Sequence, residues 1–178
     1  SYSTNNQPML PFYIFYSMFG FQRIGDSAWQ AADMRARGFL LGATAGRTTL
    51  NGEGLQHEDG HSHLLAGAVP NCKSYDPSFG YEVTVIVQEG MQRMLAEQRD
   101  EYYYITLMNE NYAQPDLPAG VEADVLRGGY RFGVYGPSDA VQRVILLGSG
   151  AILTEVVKAA QQLAAQGVGV EVMSITSW

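Results

Sequence analysis

Several features that mark particular protein classes are scarce in this sequence of 178 residues. Cys72 is the single cysteine, which excludes an internal disulfide and favours a reducing compartment. Lysine and arginine number 11 against 18 acidic residues, a net charge of −7 that argues against nonspecific binding to nucleic acid. No apolar run approaches the roughly 18 residues of a membrane-spanning helix, and the first residues lack the pattern of a secretory signal. These absences predict a soluble cytoplasmic protein with no membrane or nucleic-acid partner.

The spacing of the apolar residues predicts alternating strands and helices. They make up 46% of the sequence, an ordinary fraction for a packed protein. Short apolar runs predict strands at 9–16, 39–44 and 102–108, and the segment 71–75 is a further strand candidate. Between them we expect a helix from Gly20 that ends at Gly38, a short helix at 62–67 capped by Ser62, and a longer helix at 79–97. The run at 39–44 is continuously apolar, which is typical of a strand buried on both faces of a sheet.

The last third of the sequence differs from the rest in composition and in the spacing of its apolar residues. Proline, glycine and acidic residues at 109–140 predict an ordered connector, in which 129–135 alternates like an edge strand. The remaining 141–178 predicts a strand, a helix and a second strand joined by the turn Gly148-Ser-Gly150. That turn could place a phosphate at a helix N-terminus, but it lacks the full G-x-G-x-x-G spacing. We predict an α/β fold with mostly parallel sheets: one domain at 1–108, the connector, and the start of a second domain at 141–178.

The three histidines lie within the string H-E-D-G-H-S-H at 57–63. His57, Glu58 and His61 match the H-E-x-x-H motif of zinc proteases, in which one helix aims both histidines at the ion and the glutamate is the general base. Gly60 lies inside that turn, so a firm helix is not expected here. A zinc hydrolase built on this loop is therefore the alternative hypothesis, and we expect no stoichiometric zinc.

A site without metal suits the long loop at 45–63 better. A histidine flanked by carboxylates can exchange a proton near neutral pH, and one of the three is enough. We expect His61 and His63 to hold the loop through hydrogen bonds to backbone carbonyls. The segment Tyr16-Ser-Met-Phe19 follows the first strand, at the edge where α/β sheets bind ligands, and aromatic rings there can stack on a flat heterocycle.

Two stretches carry a family resemblance: F-Y-I-F-Y-S-M-F-G-F-Q-R at 12–23 and G-R-T-T-L-N-G-E-G-L-Q-H-E-D-G-H-S-H at 46–63. They closely resemble the homodimeric bacterial pyruvate dehydrogenases, which depend on thiamine diphosphate, and the E-D-G core is also similar to transketolases. The resemblance extends to N-E-N-Y at 109–112 and to L-G-S-G at 147–150. It implies the later part of a pyrimidine-binding domain followed by the start of a transketolase C-terminal-like domain.

The resemblance also implies roles for three residues. Phe19 would stack on the aminopyrimidine of thiamine diphosphate, while Tyr16 and His57 would face the substrate-derived atoms as catalytic residues. The parent enzyme would decarboxylate pyruvate and transfer the acetyl group to the lipoyl domain of the dihydrolipoamide acetyltransferase. The family's catalytic glutamate and its ligands for Mg²⁺ and diphosphate are expected outside these residues, with no metal ligand within them. We therefore expect the chain alone to be inactive; a non-catalytic α/β binding module is the remaining alternative.

Overall fold

The computed structural model describes residues 9–46 and 54–177 and arranges their strands in two sheets. The strands are β1 (Phe12–Tyr16), β2 (Phe39–Ala43), β3 (Cys72–Tyr75), β4 (Tyr102–Thr106), β5 (Gly129–Tyr135), β6 (Arg143–Gly148) and β7 (Gly169–Ile175). The helices are α1 (Gly20–Asp33), α2 (Ser62–Gly67), α3 (Gly80–Met91), α4 (Glu122–Arg127) and α5 (Ile152–Ala165). A π-helical turn at Gln92–Ala96 extends α3, which accounts for the length predicted at 79–97. In the described ranges no helix is long and apolar enough to cross a bilayer.

The first sheet, sheet A, is parallel throughout and has the strand order β1-β2-β4-β3. Its central strand β4 is buried at all five positions. Because side chains alternate along a strand, Tyr102 and Tyr104 pack with α1 and α2, whereas Tyr103 and Ile105 pack with α3. Helices therefore cover both faces of sheet A, as its continuous apolar runs predict.

The second sheet, sheet B, has the strand order β5-β7-β6. The predicted strand–helix–strand unit is confirmed, since β6 and β7 pair in parallel on either side of α5. The edge strand predicted at 129–135 is also confirmed, and it pairs with β7 antiparallel. Helix α5 packs on one face of this sheet. On the other face Ile145 and Leu147 remain 65% and 63% exposed.

One local prediction is wrong for a reason of backbone geometry. Helix α1 ends at Asp33 rather than Gly38, because Arg35 adopts a positive φ of 56° and the N–H of Ala36 bonds back to the carbonyl of Ala31 at 2.8 Å. This is the left-handed ending that glycine usually provides. The connector also contains α4, a helix of six residues that is too short to show a helical period.

The buried carboxylate of Glu82 joins α3 to sheet B. Its Oε1 accepts hydrogen bonds from the hydroxyls of Tyr130 on β5 and Ser174 on β7, each at 2.7 Å. Its Oε2 accepts the backbone N–H groups of Ser78 and Phe79 at the start of α3. Since Glu82 is completely buried, these four donors replace the water that an exposed carboxylate would bind.

A second buried carboxylate, Asp76, lies directly after β3. It accepts hydrogen bonds from Thr106 at 2.5 Å and from Ser149 at 2.8 Å, and its carbonyl accepts the N–H of Gly150 at 3.1 Å. The Gly-rich turn between β6 and α5 therefore packs against Asp76. This contact favours the structural explanation of the turn over a phosphate site.

Candidate functional site

The three residues singled out in the sequence lie together at the carboxyl edge of sheet A. Tyr16 is the last residue of β1, Phe19 immediately precedes α1, and His57 ends a 3₁₀ turn at Leu55–His57. The ring centroid of His57 lies 4.9 Å from that of Tyr16 and 5.1 Å from that of Phe19, and both pairs are close to perpendicular. The end of a strand, the start of a helix and a distant loop thus form one aromatic cluster.

This aromatic cluster, Tyr16, Phe19 and His57, is accessible from outside. Tyr16 is 48% exposed, while Phe19 and His57 are half-buried. The guanidinium carbon of Arg23 lies 4.7 Å from the centre of the Phe19 ring and supports it by a cation–π contact. A flat heteroaromatic group with polar substituents fits this cluster, because it offers ring surface together with a phenol and an imidazole that can hydrogen-bond.

The other two histidines hold the loop in place. His61 Nε2 is hydrogen-bonded to Gln22 Nε2 of α1 at 2.8 Å. His63 is hydrogen-bonded through Nδ1 to Ser74 of β3 at 2.6 Å and through Nε2 to Thr106 of β4 at 3.0 Å. They therefore serve as anchors, but the prediction that their partners are backbone carbonyls is wrong. The partners are side chains on elements distant in sequence, which a local pattern does not reveal.

The cap of α2 also differs from the prediction. Ser62 is the first residue of the helix, and the backbone N–H groups of His61 and Ser62 donate to Asp59 Oδ1 at 3.1 and 3.0 Å. The Ser62 hydroxyl itself donates to Asp59 Oδ2 at 2.5 Å. Burial raises the pKa of Asp59, but the bonds from Ser62 and His61 outweigh it, so the pKa lies below its ordinary value. Aspartate side chains often accept hydrogen bonds from backbone N–H groups two or three residues later, and the sequence D-G-H-S at 59–62 has this pattern. That pattern could have identified Asp59 from the sequence.

The H-E-x-x-H pattern does not form the geometry of a zinc protease. Glu58 is extended, with φ −65° and ψ 119°, so His57 ends one short turn and His61 lies just before the next helix. The two histidines are therefore not on one face of one helix, as the chemistry requires. Across residues 9–46 and 54–177, no group of three or more His, Cys, Asp or Glu side chains could hold a metal ion. The part of the loop at 47–53 lies outside the described residues.

Two family models match most of the chain, and curated relatives match all of it. Residues 1–115 match the model of the pyruvate dehydrogenase E1 component middle domain, and residues 128–178 match the transketolase-like C-terminal domain. The chain is 61% identical to the pyruvate dehydrogenase E1 component of Pseudomonas aeruginosa and 57% identical to that of Escherichia coli K12. Both alignments cover 100% of this chain, which spans 20% of the length of each relative.

Among solved structures, the transketolase of Campylobacter jejuni superposes with a TM-score of 0.71 at 22% identity. The superposition covers 96% of this chain and 25% of that one. At this identity the likeness concerns the fold alone. It confirms the predicted α/β class, and the family models confirm that a transketolase C-terminal-like region follows the first domain.

Proposed function

Because this chain belongs to the pyruvate dehydrogenase E1 component family, we propose that it forms part of the active site of a pyruvate dehydrogenase. The reaction is the decarboxylation of pyruvate and the transfer of its acetyl group to the lipoyl domain of an acetyltransferase. The observation that carries the proposal is the aromatic cluster at the carboxyl edge of sheet A, the edge where α/β folds bind ligands.

The cofactor in this proposal is thiamine diphosphate, which would supply the carbon centre that bonds to the substrate carbonyl and would take up the electron pair left when carbon dioxide departs. Phe19 would provide the ring on which the pyrimidine stacks, since Phe19 is fixed at the start of α1 and supported by Arg23. The described residues offer no carboxylate cluster for Mg²⁺. We therefore place the ligands for Mg²⁺ and for the diphosphate elsewhere in the parent protein.

His57 and Tyr16 would act on the substrate. The contacts of the His57 imidazole with both neighbouring rings restrict its orientation, and its partial exposure leaves it able to hold or donate a proton. Tyr16 ends β1 with its side chain half-exposed, so its hydroxyl can donate a hydrogen bond to the substrate carboxylate. Their closeness allows both groups to act on one small molecule.

We also include a homodimeric assembly and a cytoplasmic location in the proposal. The exposed apolar side chains of edge strand β1, Phe12, Tyr13 and Ile14, support an assembly that covers them, since they are 49%, 53% and 63% exposed. The single cysteine supports a reducing compartment.

The test uses the intact parent protein, assayed for carbon dioxide release from pyruvate and acetyl transfer to a lipoyl domain. His57→Ala should slow acetyl transfer by about 10² to 10⁴-fold, the usual cost of one positioned acid–base group. Binding of thiamine diphosphate, measured by calorimetry with Mg²⁺, should change little, because His57 is proposed to act on the substrate.

Gln56→Ala is the matched control, since Gln56 precedes His57 in the same turn and is exposed. It should turn over like the wild type. Near-normal acetyl transfer by His57→Ala would remove His57 from the chemistry. We expect the 178 residues alone to release no carbon dioxide, and micromolar cofactor binding with turnover by this chain would contradict the proposal that other residues complete the site.

A further inference from the structure

The buried carboxylate of Asp59 lies two residues after His57 and holds the end of the turn that carries it. Only 1% of Asp59 is exposed, and its two oxygens accept three hydrogen bonds from His61 and Ser62. The turn itself is closed by the N–H of His57, which donates to the carbonyl of Gly54 at 3.1 Å. The bond from His57 is internal to the turn, so the hydrogen bonds of Asp59 are what attach the segment after His57 to the start of α2.

A second contact joins the segment that Asp59 holds to the elements around the aromatic cluster. His61, whose N–H donates to Asp59 at 3.1 Å, is hydrogen-bonded through Nε2 to Gln22 Nε2 of α1 at 2.8 Å. Helix α1 begins directly after Phe19, whose ring centroid lies 5.1 Å from that of His57. The segment after His57 is therefore joined to the helix that follows Phe19.

We propose that Asp59 is a positioning residue, which fixes the segment that follows His57 to the start of α2 and so sets the distance between His57 and Tyr16. The inference rests on the proposed function, in which these two side chains act on the substrate. Asp59 itself is closed off from solvent and its oxygens are occupied by donors of its own loop. A ligand in the aromatic cluster is therefore contacted by His57 and not by Asp59.

The kinetic test compares Asp59→Ala and Asp59→Asn in the intact parent enzyme. Asp59→Ala removes all three hydrogen bonds, and a displacement of about 1 Å in the reacting group can cost about 10²-fold in kcat. The affinity for thiamine diphosphate should stay within about threefold of the wild type. Asp59→Asn should recover most of the rate, because asparagine keeps the Oδ1 acceptor for the backbone N–H groups of His61 and Ser62.

A double variant tests whether Asp59 acts through His57. If it does, Asp59→Ala combined with His57→Ala should be no slower than His57→Ala alone, because the group being positioned is already gone. Ser62→Ala removes only the hydroxyl bond to Oδ2 and should cause a smaller fall, which also disappears in the His57→Ala background. This milder variant keeps the test available if Asp59→Ala does not fold.

A measurement without substrate or cofactor follows the loop directly. Amide hydrogen exchange over residues 57–63 should be faster in Asp59→Ala than in the wild type and unchanged in Asp59→Asn, because Asp59 accepts two of those amides. The exposed Gln56→Ala variant is the control and should match the wild type in both exchange and rate.

Three results would overturn the inference. An Asp59→Asn enzyme as slow as Asp59→Ala but with protected amides would mean that the charge itself is needed. If the falls in rate caused by Asp59→Ala and His57→Ala multiply in the double variant, Asp59 acts independently of His57. Unchanged exchange in Asp59→Ala would remove its hold on the loop. A wild-type parent protein that does not turn over pyruvate would instead contradict the proposed function, and the exchange experiment would still report on the loop.

Discussion

Strand β4 of sheet A and strand β6 of sheet B are both rich in large apolar residues, Y-Y-Y-I-T and R-V-I-L-L-G, yet their burial is opposite. Every position of β4 is buried, whereas four of the six positions of β6 are exposed. The cause is their place in the fold: β4 lies between β2 and β3 under helices on both faces, and β6 lies at the edge of a sheet that α5 covers on one face. Apolar composition predicts that a strand forms, but topology decides what is buried.

The same substitution made in both strands tests this difference and should give the largest effect. Ile105 is completely buried in β4 and Ile145 is 65% exposed in β6. Ile105→Ala should lower the free energy of unfolding by about 2 to 5 kcal/mol, because it removes buried methyl groups and leaves a cavity. Ile145→Ala should change it by less than about 0.5 kcal/mol, as surface substitutions usually do.

Urea unfolding of the two variants beside the wild type measures both changes. Similar losses in the two variants would show that the face of sheet B carrying Ile145 is covered by some other part of the protein. The difference in burial between β4 and β6 would then hold only for these 178 residues taken alone.

The buried carboxylate that joins the two regions should give the next largest effect. Glu82→Gln keeps the shape of the side chain, but its amide nitrogen must face either the backbone N–H groups of Ser78 and Phe79, which only donate, or two hydroxyls that now donate to Glu82 and would have to accept instead. An unsatisfied buried group costs about 1 to 3 kcal/mol, and that loss is expected in the free energy of unfolding.

Denaturant unfolding followed by tyrosine fluorescence measures this loss. The control is Glu122→Gln, an exposed acid at the start of α4, which should change stability by less than about 0.5 kcal/mol. A Glu82→Gln protein as stable as the control would mean that the four hydrogen bonds of Glu82 contribute nothing net to the contact between the sheets.

The sequence predicts the strands better than the contacts between them. Most strands are short apolar runs, β5 alternates, and the helix between β6 and β7 shows a clear period, so local patterns were sufficient for these elements. Helix α4 was missed because six residues are less than two turns, and the end of α1 was misplaced because Arg35 takes a conformation that usually belongs to glycine. A local sequence pattern indicates neither a helix this short nor a positive φ at an arginine.

In the candidate site, too, the residues could be predicted from the sequence, whereas most of their contacts could not. Tyr16, Phe19 and His57 were identified from the family resemblance and from the rule that ligands bind at strand ends, and the structure brings their rings together. Their chemical roles remain predictions. The partners of His61 and His63 could not be predicted, because they lie on α1, β3 and β4 and meet the loop only in the folded chain.

The smallest expected effect concerns an ion pair beside β4, for which sheet B has no counterpart among the ion pairs of the described residues. Glu101 immediately precedes β4 and accepts two hydrogen bonds from Arg93, at 2.5 and 2.9 Å, and one from Tyr103 at 2.9 Å. Burial raises the pKa of Glu101, but the bonds from Arg93 and Tyr103 outweigh it and bring the pKa below its ordinary 4.5. Since the folded pKa is the lower one, the stabilisation by Glu101 is complete above 4.5 and is lost as the pH falls through the folded value.

Glu101→Gln should therefore be less stable than the wild type near neutral pH, and the difference should shrink toward zero in acid. We expect less than about 1 kcal/mol, because the Arg93 side chain is still 31% exposed and water competes for it. Thermal unfolding from about pH 7 to about pH 3 measures the difference, with Glu122→Gln as the control that should show no such convergence. A difference that stays constant over this range would mean that the variant loses packing and not a charge interaction. The residues just before β4 would then be stabilised by packing, as Ile105 within the strand is.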